Sequence, residues 1–239
     1  MPQNRYYCPG PILAGETLLL TEEEHHYLRL VMRQQVGEQI EIINGQGSLA
    51  LGKILSIEKR EAEIEIVSVT TKEPPPFTLR LVLGFLKPSH FEYACEKATE
   101  VGVTSFSFFP AHRSEKRAIS DQYLKRLQSI VLSATKQCGR LFLPPIAVVD
   151  SLEKTFDDSL ILFGDLEGQQ SLTSATVSPK VSLVIGPESG FSEKERALLL
   201  SKGAKGLLLH QNILRAETAA TIGIARLFEI LTTNRNPIL

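Results

Sequence analysis

The sequence predicts an α/β protein with two parts: a small N-terminal β-barrel and a C-terminal domain built on a mainly parallel sheet. Three observations lead to this prediction. Three consecutive prolines, residues 74–76, interrupt the chain and favour an extended spacer. Before them, apolar and polar residues alternate as in half-buried antiparallel strands. After them, short apolar runs without clean alternation are separated by amphipathic helical segments, as in parallel sheets covered by helices.

The composition is ordinary for a soluble globular protein. The 239 residues are 43% hydrophobic and 22% charged, which is enough to bury a sizeable core. No run approaches roughly 18 consecutive apolar residues, so we expect no membrane span, and residues 1–7 lack the apolar stretch of a signal peptide. The widely spaced Cys8, Cys95 and Cys138 predict neither a disulfide framework nor a structural zinc site, as fits a reducing cytoplasm.

The N-terminal part, residues 1–72, is predicted to contain strands over residues 39–43, 49–57 and 62–69. The sequence NGQG, residues 44–47, tolerates positive φ and predicts a hairpin turn between the first two. Thr21 and Glu24 have the spacing of a capping box and predict a short helix that ends near Arg33. Periodicity alone therefore indicates a small β domain with one helix.

The C-terminal part, residues 73–239, is predicted to alternate strands and helices. Ser89 and Glu92 have capping-box spacing and open a helix that stops near Gly102. A second amphipathic helix is predicted over residues 120–137, and a last helix, residues 216–231, is apolar almost all round, which favours burial on several sides. The predicted strands are residues 79–86, 105–109, 160–163, 181–185 and 206–209.

Two loops near the C-terminus carry the main functional signal. The strand 181–185 runs into GPESGF, residues 186–191, and the strand 206–209 runs into HQNILRAETA, residues 210–219. Ser192 with Glu195 has the spacing of a third capping box, which places a helix directly after the first loop. Because ligand sites form at the carboxyl ends of parallel strands, the two loops predict one composite pocket.

The charge of the first loop favours a cationic ligand over a phosphate. Glu188, Glu193 and Glu195 lie in the loop or in the first turn after it, where they would repel an anion. The chain contains neither a G-x-x-x-x-G-K-[ST] nor a G-x-G-x-x-G motif. The alternative is a tight strand-to-helix turn in which the glycines only permit positive φ.

The second loop offers both apolar and charged side chains. Ile213 and Leu214 could line an adenine slot or could close the core. Arg215 and Glu217 could form an ion pair at the helix start, which is worth little at a surface. Arg215 could instead hold a phosphate or a base, or stabilise negative charge on a deprotonated base. The group that would remove the proton from such a base could be Glu188, Glu217 or solvent.

These loops resemble those of the SPOUT methyltransferase superfamily, and most closely the bacterial 16S (small-subunit) ribosomal RNA uridine N3-methyltransferases. That family typically has a GPEGGF loop and an RILRxETA loop, so Ser189 departs from the first pattern, and His210 and Asn212 depart in the second. The similarity extends to other segments and spans nearly the whole chain: His25-His26 with Arg29 and Arg33, KATEVGV at residues 97–103, and Gln137 with Arg140.

The resemblance implies a SPOUT domain with a C-terminal trefoil knot over residues 73–239 and a PUA-like or OB-like RNA-binding barrel over residues 1–72. It implies an S-adenosylmethionine-dependent homodimer that methylates N3 of a specific uridine, in free ribosomal RNA or in the small ribosomal subunit. The predicted catalytic residues are Arg215, Glu217 and Glu188. The predicted cofactor-binding residues are Phe163, Gly164, Ile185, Gly186, Pro187, Glu188, Gly190, Leu209, His210, Ile213 and Leu214.

Basic residues are expected to contact the RNA. The net charge is only −1, but residues 112–140 hold seven Lys or Arg against two acidic residues, and such a patch can bind phosphates. The alternative is an ordinary solvated helix face. The predicted RNA-contacting residues are Arg5, His25, Arg29, Arg33, Arg113, Lys116 and Arg117, with Lys125 and Arg126 in the same basic segment.

Two alternatives stay open from the sequence. One is another SPOUT reaction, such as ribose 2′-O-methylation. The other is a non-catalytic RNA-binding or ribosome assembly protein of the same fold, which the departures at Ser189, His210 and Asn212 keep open. No H-E-x-x-H or G-x-S-x-G motif is present, so we predict no metal site and no nucleophile-elbow chemistry. For the dimer, Phe228 and Leu231 share one face of the last helix and are the predicted contacts.

Overall fold

The computed structural model describes residues 4–169 and 178–233. The chain divides into two compact units. The first comprises Met1–Pro74 and Leu132–Leu143, and the second comprises Pro75–Val131 and Pro144–Leu239. The first contains the strands predicted before the prolines, and the second contains those predicted after them.

The first unit is built on a mixed five-stranded sheet with the strand order β1-β3-β4-β5-β2. Strand β1 pairs with β3 in parallel, and the other pairs are antiparallel. The sequence predicted β3, β4 and β5 close to their observed ends but missed the first two strands. The bounds are β1 Arg5–Tyr7, β2 Thr17–Thr21, β3 Gln39–Ile43, β4 Ser48–Ile57 and β5 Glu61–Thr71.

The predicted hairpin turn between β3 and β4 is confirmed. The Asn44 Oδ1 accepts hydrogen bonds from the backbone N–H groups of Gln46 at 2.9 Å and Ser48 at 3.0 Å. Gly45 and Gly47 have φ of +72° and +104°, which side chains with a Cβ disfavour. The alternating residues of the strands close over one hydrophobic core, which includes Tyr6, Leu20, Leu28, Ile40, Ile42, Ile54, Ile64 and Ile66.

The predicted helix of the first unit is α-helical only in its first half. Helix α1, Glu22–His26, continues into a π-helical turn, Tyr27–Val31. The predicted capping box is wrong, because the Thr21 side chain makes no capping hydrogen bond. The Glu24 carboxylate instead forms an ion pair with Lys136 at 2.6 Å, so its charge is committed to a tertiary contact.

The second unit contains a six-stranded sheet with the order β11-β9-β10-β6-β7-β8, and all its described strand pairs are parallel. Leu79, Leu81 and Leu183 are fully buried, which explains why these strands lack polar alternation. The predicted α/β architecture is therefore confirmed. The bounds are β6 Thr78–Gly84, β7 Ser105–Phe109, β8 Ile146–Val148, β9 Leu160–Gln169, β10 Lys180–Ile185 and β11 Lys205–Leu207.

The long helices are α2 Pro88–Glu100, α3 Asp121–Cys138, α4 Glu193–Ser201 and α5 Ala216–Thr233. The capping box at α4 is confirmed, since Ser192 Oγ accepts from the Glu195 N–H at 3.3 Å and Glu195 Oε2 accepts from the Ser192 N–H at 2.8 Å. The box predicted at α2 is wrong. That helix begins at Pro88, whose missing N–H is not needed in a first turn, and Glu92 pairs with Arg126 instead.

Helix α5 is buried on several sides, as its composition predicts, and Leu231 is only 4% exposed. The ring of Phe228 packs edge-to-face on Phe77 with centroids 5.8 Å apart. It also covers Gly102, where an added Cβ would lie 2.2 Å from Phe228 Cδ2. The structure therefore argues against Leu231 as a dimer contact, because its side chain is already buried within its own unit, whereas Phe228 stays partly exposed.

The substitution Gly102→Ala should destabilise the protein strongly. Gly102 follows α2 with φ of +112°, and its Cβ would overlap the Phe228 ring. Conformational strain and overpacking together should lower the free energy of unfolding by about 3 kcal/mol. Gly203→Ala is the matched control, because Gly203 has φ of +75° and open space around its Cβ position. Urea denaturation should show a loss of only about 1 kcal/mol there, and equal losses would contradict the packing argument.

Candidate functional site

A cavity of about 730 Å³ opens in the second unit at the carboxyl edge of its sheet. The segments after β6, β10 and β11 line it, together with residues 164–166 of β9. These strands are parallel, so their carboxyl ends share one edge and side chains distant in sequence meet there. Both loops singled out in the sequence lie in this cavity.

The predicted cofactor residues line the cavity with one exception, Phe163. Its ring is 1% exposed and packs edge-to-face on Phe191, with centroids 6.1 Å apart, in the core that includes Leu199 of α4. Successive side chains of a strand point to opposite faces, so Gly164 reaches the cavity and Phe163 does not. Those that line it are Gly164, Ile185, Gly186, Pro187, Glu188, Gly190, Leu209, His210, Ile213 and Leu214.

Two glycines shape the first loop for different reasons. Gly190 has φ of +70°, whereas Gly186 is buried and an added Cβ there would lie 3.3 Å from the Phe191 ring. Ser189 is not among the residues with positive φ, so its backbone does not require glycine. Its carbonyl accepts a hydrogen bond from Arg113 Nη1 at 3.1 Å. The departure at Ser189 is therefore compatible with the loop.

The other two departures hydrogen-bond to each other. The Asn212 N–H donates to His210 Nδ1 at 3.0 Å, which holds the second loop in a tight bend. Ile213, at the tip, is 81% exposed, so it does not close the core. Arg226 of α5 donates to the Leu209 carbonyl at 2.9 Å and anchors the start of the loop. Ile213 and Leu214 therefore offer apolar surface to a ligand in the cavity.

The two predicted catalytic carboxylates, Glu188 and Glu217, both lie close to one histidine, His90. Glu188 Oε1 accepts a hydrogen bond from the Lys87 N–H at 2.9 Å and lies 3.0 Å from His90 Nδ1. Glu217 Oε2 lies 3.9 Å from the same ring nitrogen. That oxygen is buried and has no hydrogen-bond partner within residues 4–169 and 178–233. Leaving a buried acceptor unpaired costs about 1–3 kcal/mol, so a ligand that brings an N–H or a cation would be favoured here.

The pKa of Glu188 lies below the ordinary carboxyl value. Burial raises this pKa, but hydrogen bonds from the backbone N–H groups of Lys87 and Glu188 and from His90 favour the charged form and outweigh burial. Glu188 is therefore a carboxylate at neutral pH, in contact with His90.

Arg215, the third predicted catalytic residue, is exposed at the rim of the cavity. The proposed ion pair with Glu217 is not formed in the part of the chain that the structure describes, since Glu217 faces His90 instead. An exposed guanidinium at the rim can meet an anionic group of a ligand. The structure thus separates the two residues by role: Glu217 is buried inside, and Arg215 lies outside.

Sequence reasoning missed Lys87 and His90, which line the cavity, as does Asp165 next to the predicted Gly164. Lys87 and His90 come directly after β6, a parallel strand whose carboxyl end must share the edge of β10. Their position after a predicted strand could have indicated a place in the site. Using this signal requires knowing that β6 and β10 are neighbours in the sheet. Asp165 Oδ2 accepts from Arg196 of α4 at 2.9 Å, so its charge is partly committed.

Two of the predicted RNA-contacting residues in the first unit are buried. Arg5 is 8% exposed, and its Nε and Nη2 donate to Glu41 Oε2 at 2.9 Å and 2.7 Å. His25 is 5% exposed, with Nε2 3.0 Å from the Glu58 carbonyl oxygen. Both side chains hold the unit together, so the structure removes them from the RNA-contacting set. Arg29 and Arg33 are exposed and stay in it.

In the second unit, the predicted residues Arg113, Lys116 and Arg117 are all exposed. Arg117 donates to the carbonyls of Ala111 at 3.0 Å and His112 at 2.8 Å, which orients the guanidinium without neutralising its charge. By contrast, Arg126 is paired with the Glu92 carboxylate through two hydrogen bonds of 2.6 Å and 2.7 Å. Arg126 is therefore a weaker candidate for a phosphate contact than its neighbours.

Within residues 4–169 and 178–233, no group of three or more His, Cys, Asp and Glu side chains is arranged to hold a metal ion. A helix long and apolar enough to cross a membrane is likewise absent from these two ranges.

Comparison with known proteins identifies the family of both parts of the chain. Residues 73–227 match the RNA methyltransferase domain, and residues 20–67 match the RNA methyltransferase PUA domain. The chain is 30% identical over 226 residues to ribosomal RNA small subunit methyltransferase E of Synechocystis sp., covering 90% of this chain and 74% of that protein. The chain belongs to the ribosomal RNA small subunit methyltransferase E family.

Two further members of this family support the fold. The Rickettsia conorii protein is 28% identical over 237 residues, which is 95% of each chain. The crystal structure of the Neisseria gonorrhoeae protein, bound to S-adenosyl methionine, is 26% identical, covers 95% of this chain and 96% of its own, and superposes with a TM-score of 0.83. The predicted SPOUT-type α/β domain with an N-terminal PUA-like domain is therefore confirmed.

The substitution Glu217→Met should stabilise the protein in the absence of ligands. It replaces a buried carboxylate oxygen that lacks a partner with an apolar group of similar length, which should raise the free energy of unfolding by about 1 kcal/mol. Glu193→Met is the matched control, because Glu193 also lies in a first helical turn but is exposed. It should be neutral or slightly destabilising in urea denaturation. A loss of stability in Glu217→Met would mean that Glu217 is satisfied.

Proposed function

We propose that the chain is an S-adenosylmethionine-dependent methyltransferase that methylates N3 of a specific uridine in 16S ribosomal RNA. The observation that carries the proposal is a cavity that combines apolar loop residues with two carboxylates. Oε2 of the buried Glu217 has no hydrogen-bond partner in the described part of the chain. The family supports ribosomal RNA of the small subunit as substrate. The Neisseria gonorrhoeae relative bound to S-adenosyl methionine supports the cofactor.

The residues of the cavity fit this cofactor. Leu209, Ile213 and Leu214 offer apolar surface that suits an adenine ring. Glu188 and Glu217 supply negative charge, which suits an ammonium group and a sulfonium. Gly186 and Gly190 let the backbone of the first loop approach a ligand closely. When bound, S-adenosylmethionine supplies an activated methyl group, so the residues of the chain need mainly to bind and orient the partners.

Methylation at N3 places two demands on the chain. The uridine must be unpaired, because N3 takes part in base pairing, and N3 must lose its proton. The exposed Arg215 at the rim could hold the unpaired uridine by contacting its phosphate or its base. It would also stabilise negative charge on the uracil. The carboxylates around His90 suit the removal of the N3 proton. Ribose 2′-O-methylation is the alternative reaction, and no observation at the cavity favours it.

The remaining parts of the proposal concern RNA and assembly. We assign RNA binding to the PUA-like part, residues 1–72, with Arg29 and Arg33, and to Arg113, Lys116 and Arg117 of the methyltransferase part, residues 73–239. The compatibility of Ser189, His210 and Asn212 with ordered loops supports an enzyme over a non-catalytic relative. A trefoil knot, a homodimer and action in the cytoplasm on free ribosomal RNA or the small subunit follow from the resemblance alone.

The substitution Gly190→Val should abolish binding of S-adenosylmethionine. A β-branched residue is strained at φ of +70°, so the first loop should leave its ligand-binding conformation. Gly203→Val is the matched control, since Gly203 has φ of +75°, has open space around it and does not line the cavity. Isothermal titration calorimetry should detect binding to the wild type and to Gly203→Val only. Equal affinity in a folded Gly190→Val protein would refute the assignment of this loop.

Neutralising Lys116 and Lys125 should weaken RNA binding and its dependence on salt. Both side chains are exposed in the basic segment. Each lost phosphate contact should reduce the slope of log K against log salt by about one unit. Lys154→Gln with Lys180→Gln is the matched control, because these exposed lysines are paired with Asp150 and Asp158. A double substitution of Lys116 and Lys125 that leaves the slope at the wild-type value would mark the segment as a solvated face.

A further inference from the structure

We propose that His90 is the general base of the reaction, and that its Nε2 takes the N3 proton of the target uracil. This inference rests on the proposed N3-methylation and names the residue that the reaction requires. His90 is the third residue of α2. It lines the cavity, and its side chain is 29% exposed. It is the histidine that both predicted catalytic carboxylates approach.

The two carboxylates determine which ring nitrogen carries the proton in the neutral histidine. Glu188 Oε1 lies 3.0 Å from His90 Nδ1, and Glu217 Oε2 lies 3.9 Å from the same atom. Carboxylates only accept hydrogen bonds, so Nδ1 must carry the hydrogen and donate it to Glu188. The lone pair of neutral His90 is then on Nε2, which has no hydrogen-bond partner among the residues that the structure describes. A carboxylate that orients an imidazole in this way prepares it to accept a proton.

Charge also favours proton transfer to His90. The proton leaves N3 for Nε2, and the electron pair of the N–H bond stays on N3. That pair forms the bond to the transferred methyl group, while the electron pair of the broken C–S bond stays on sulfur. The imidazole becomes a cation between Glu188 and Glu217, which stabilise it. Glu217 Oε2, unpaired in the neutral state, gains a cationic neighbour at the moment of proton transfer.

The other charged groups at the cavity do not offset this stabilisation. The Lys87 ammonium pairs with Glu115 at 3.1 Å, and its backbone N–H, not its charge, contacts Glu188. Arg215 is exposed at the rim, and Asp165 is engaged with Arg196. The groups in contact with the His90 ring are thus two carboxylates. Histidine is also the side chain that enzymes use most often as a general base.

The first test compares His90→Asn with Ser89→Asn. The asparagine amide can replace Nδ1–H as a donor to Glu188 but provides no base, whereas Ser89 is an exposed neighbour that does not line the cavity. Single-turnover methylation of small-subunit ribosomal RNA should fall by about 100-fold or more in His90→Asn, the usual contribution of a general base, with no change in Ser89→Asn. Calorimetric affinity for S-adenosylmethionine should stay within about threefold of wild type, which separates a chemical from a binding defect.

The pH dependence provides a sharper readout. In the wild type, the single-turnover rate should fall as the pH is lowered, because a general base must start unprotonated. His90→Asn should lack this acidic limb. A rate within tenfold of wild type, or an unchanged acidic limb in His90→Asn, would overturn the assignment.

The tautomer can be measured without cofactor or substrate. Long-range 1H–15N NMR of the wild-type protein should show neutral His90 protonated at Nδ1, and the spectrum of His90→Asn assigns its signals among the five histidines. Protonation at Nε2 would overturn the inference whatever the activity. If the wild type binds no S-adenosylmethionine or methylates no ribosomal RNA, the proposed function itself fails. If it methylates and His90→Asn methylates equally well, only the role of His90 fails.

Discussion

The parallel arrangement of β6, β9, β10 and β11 is the constraint on which the site depends. Parallel strands end at one edge, so the segments that follow them converge although they are distant in sequence, as are Lys87 and Glu188, which lie 101 residues apart. The register of β10 on β6, which pairs Ile185 with Leu83, places the first loop beside the start of α2. The hydrogen bond from the Lys87 N–H to Glu188 Oε1 is a direct result of that register.

The structure places the polar groups of the site in a shell of buried apolar residues. Phe163 packs against Phe191 of the first loop, and Leu183 and Leu209 pack closely against Gly223 of α5. This packing supports the loop and the helix that carry the two carboxylates. The unpaired oxygen of Glu217 is an exception to the rule that buried polar groups find partners, and such exceptions concentrate at functional sites because binding a ligand can satisfy them.

Local sequence signals predicted some features correctly and failed where a tertiary contact competed. The capping box at Ser192 and Glu195 formed because the tertiary partner of Glu195, the His112 N–H, binds Oε1 at 2.7 Å and leaves Oε2 for the Ser192 N–H. Thr21 with Glu24 and Ser89 with Glu92 have the same spacing, but Lys136 and Arg126 pair with the glutamates and prevent the local arrangement. Arg5 and His25 show the same limit, since a sequence does not reveal that a basic side chain is buried against Glu41 or Glu58.

The sequence by itself determined the fold class, most of the strands on either side of the prolines and the two loops that line the cavity. These features follow from hydrophobic periodicity and from glycines at positions of special backbone conformation, which are properties of short segments. Only the tertiary structure decided that Phe163 points into the core, that Glu217 is buried apart from Arg215, and that His90 stands between two carboxylates. Those facts depend on which strands are neighbours and on their register, and the contacts that set both are distant in sequence.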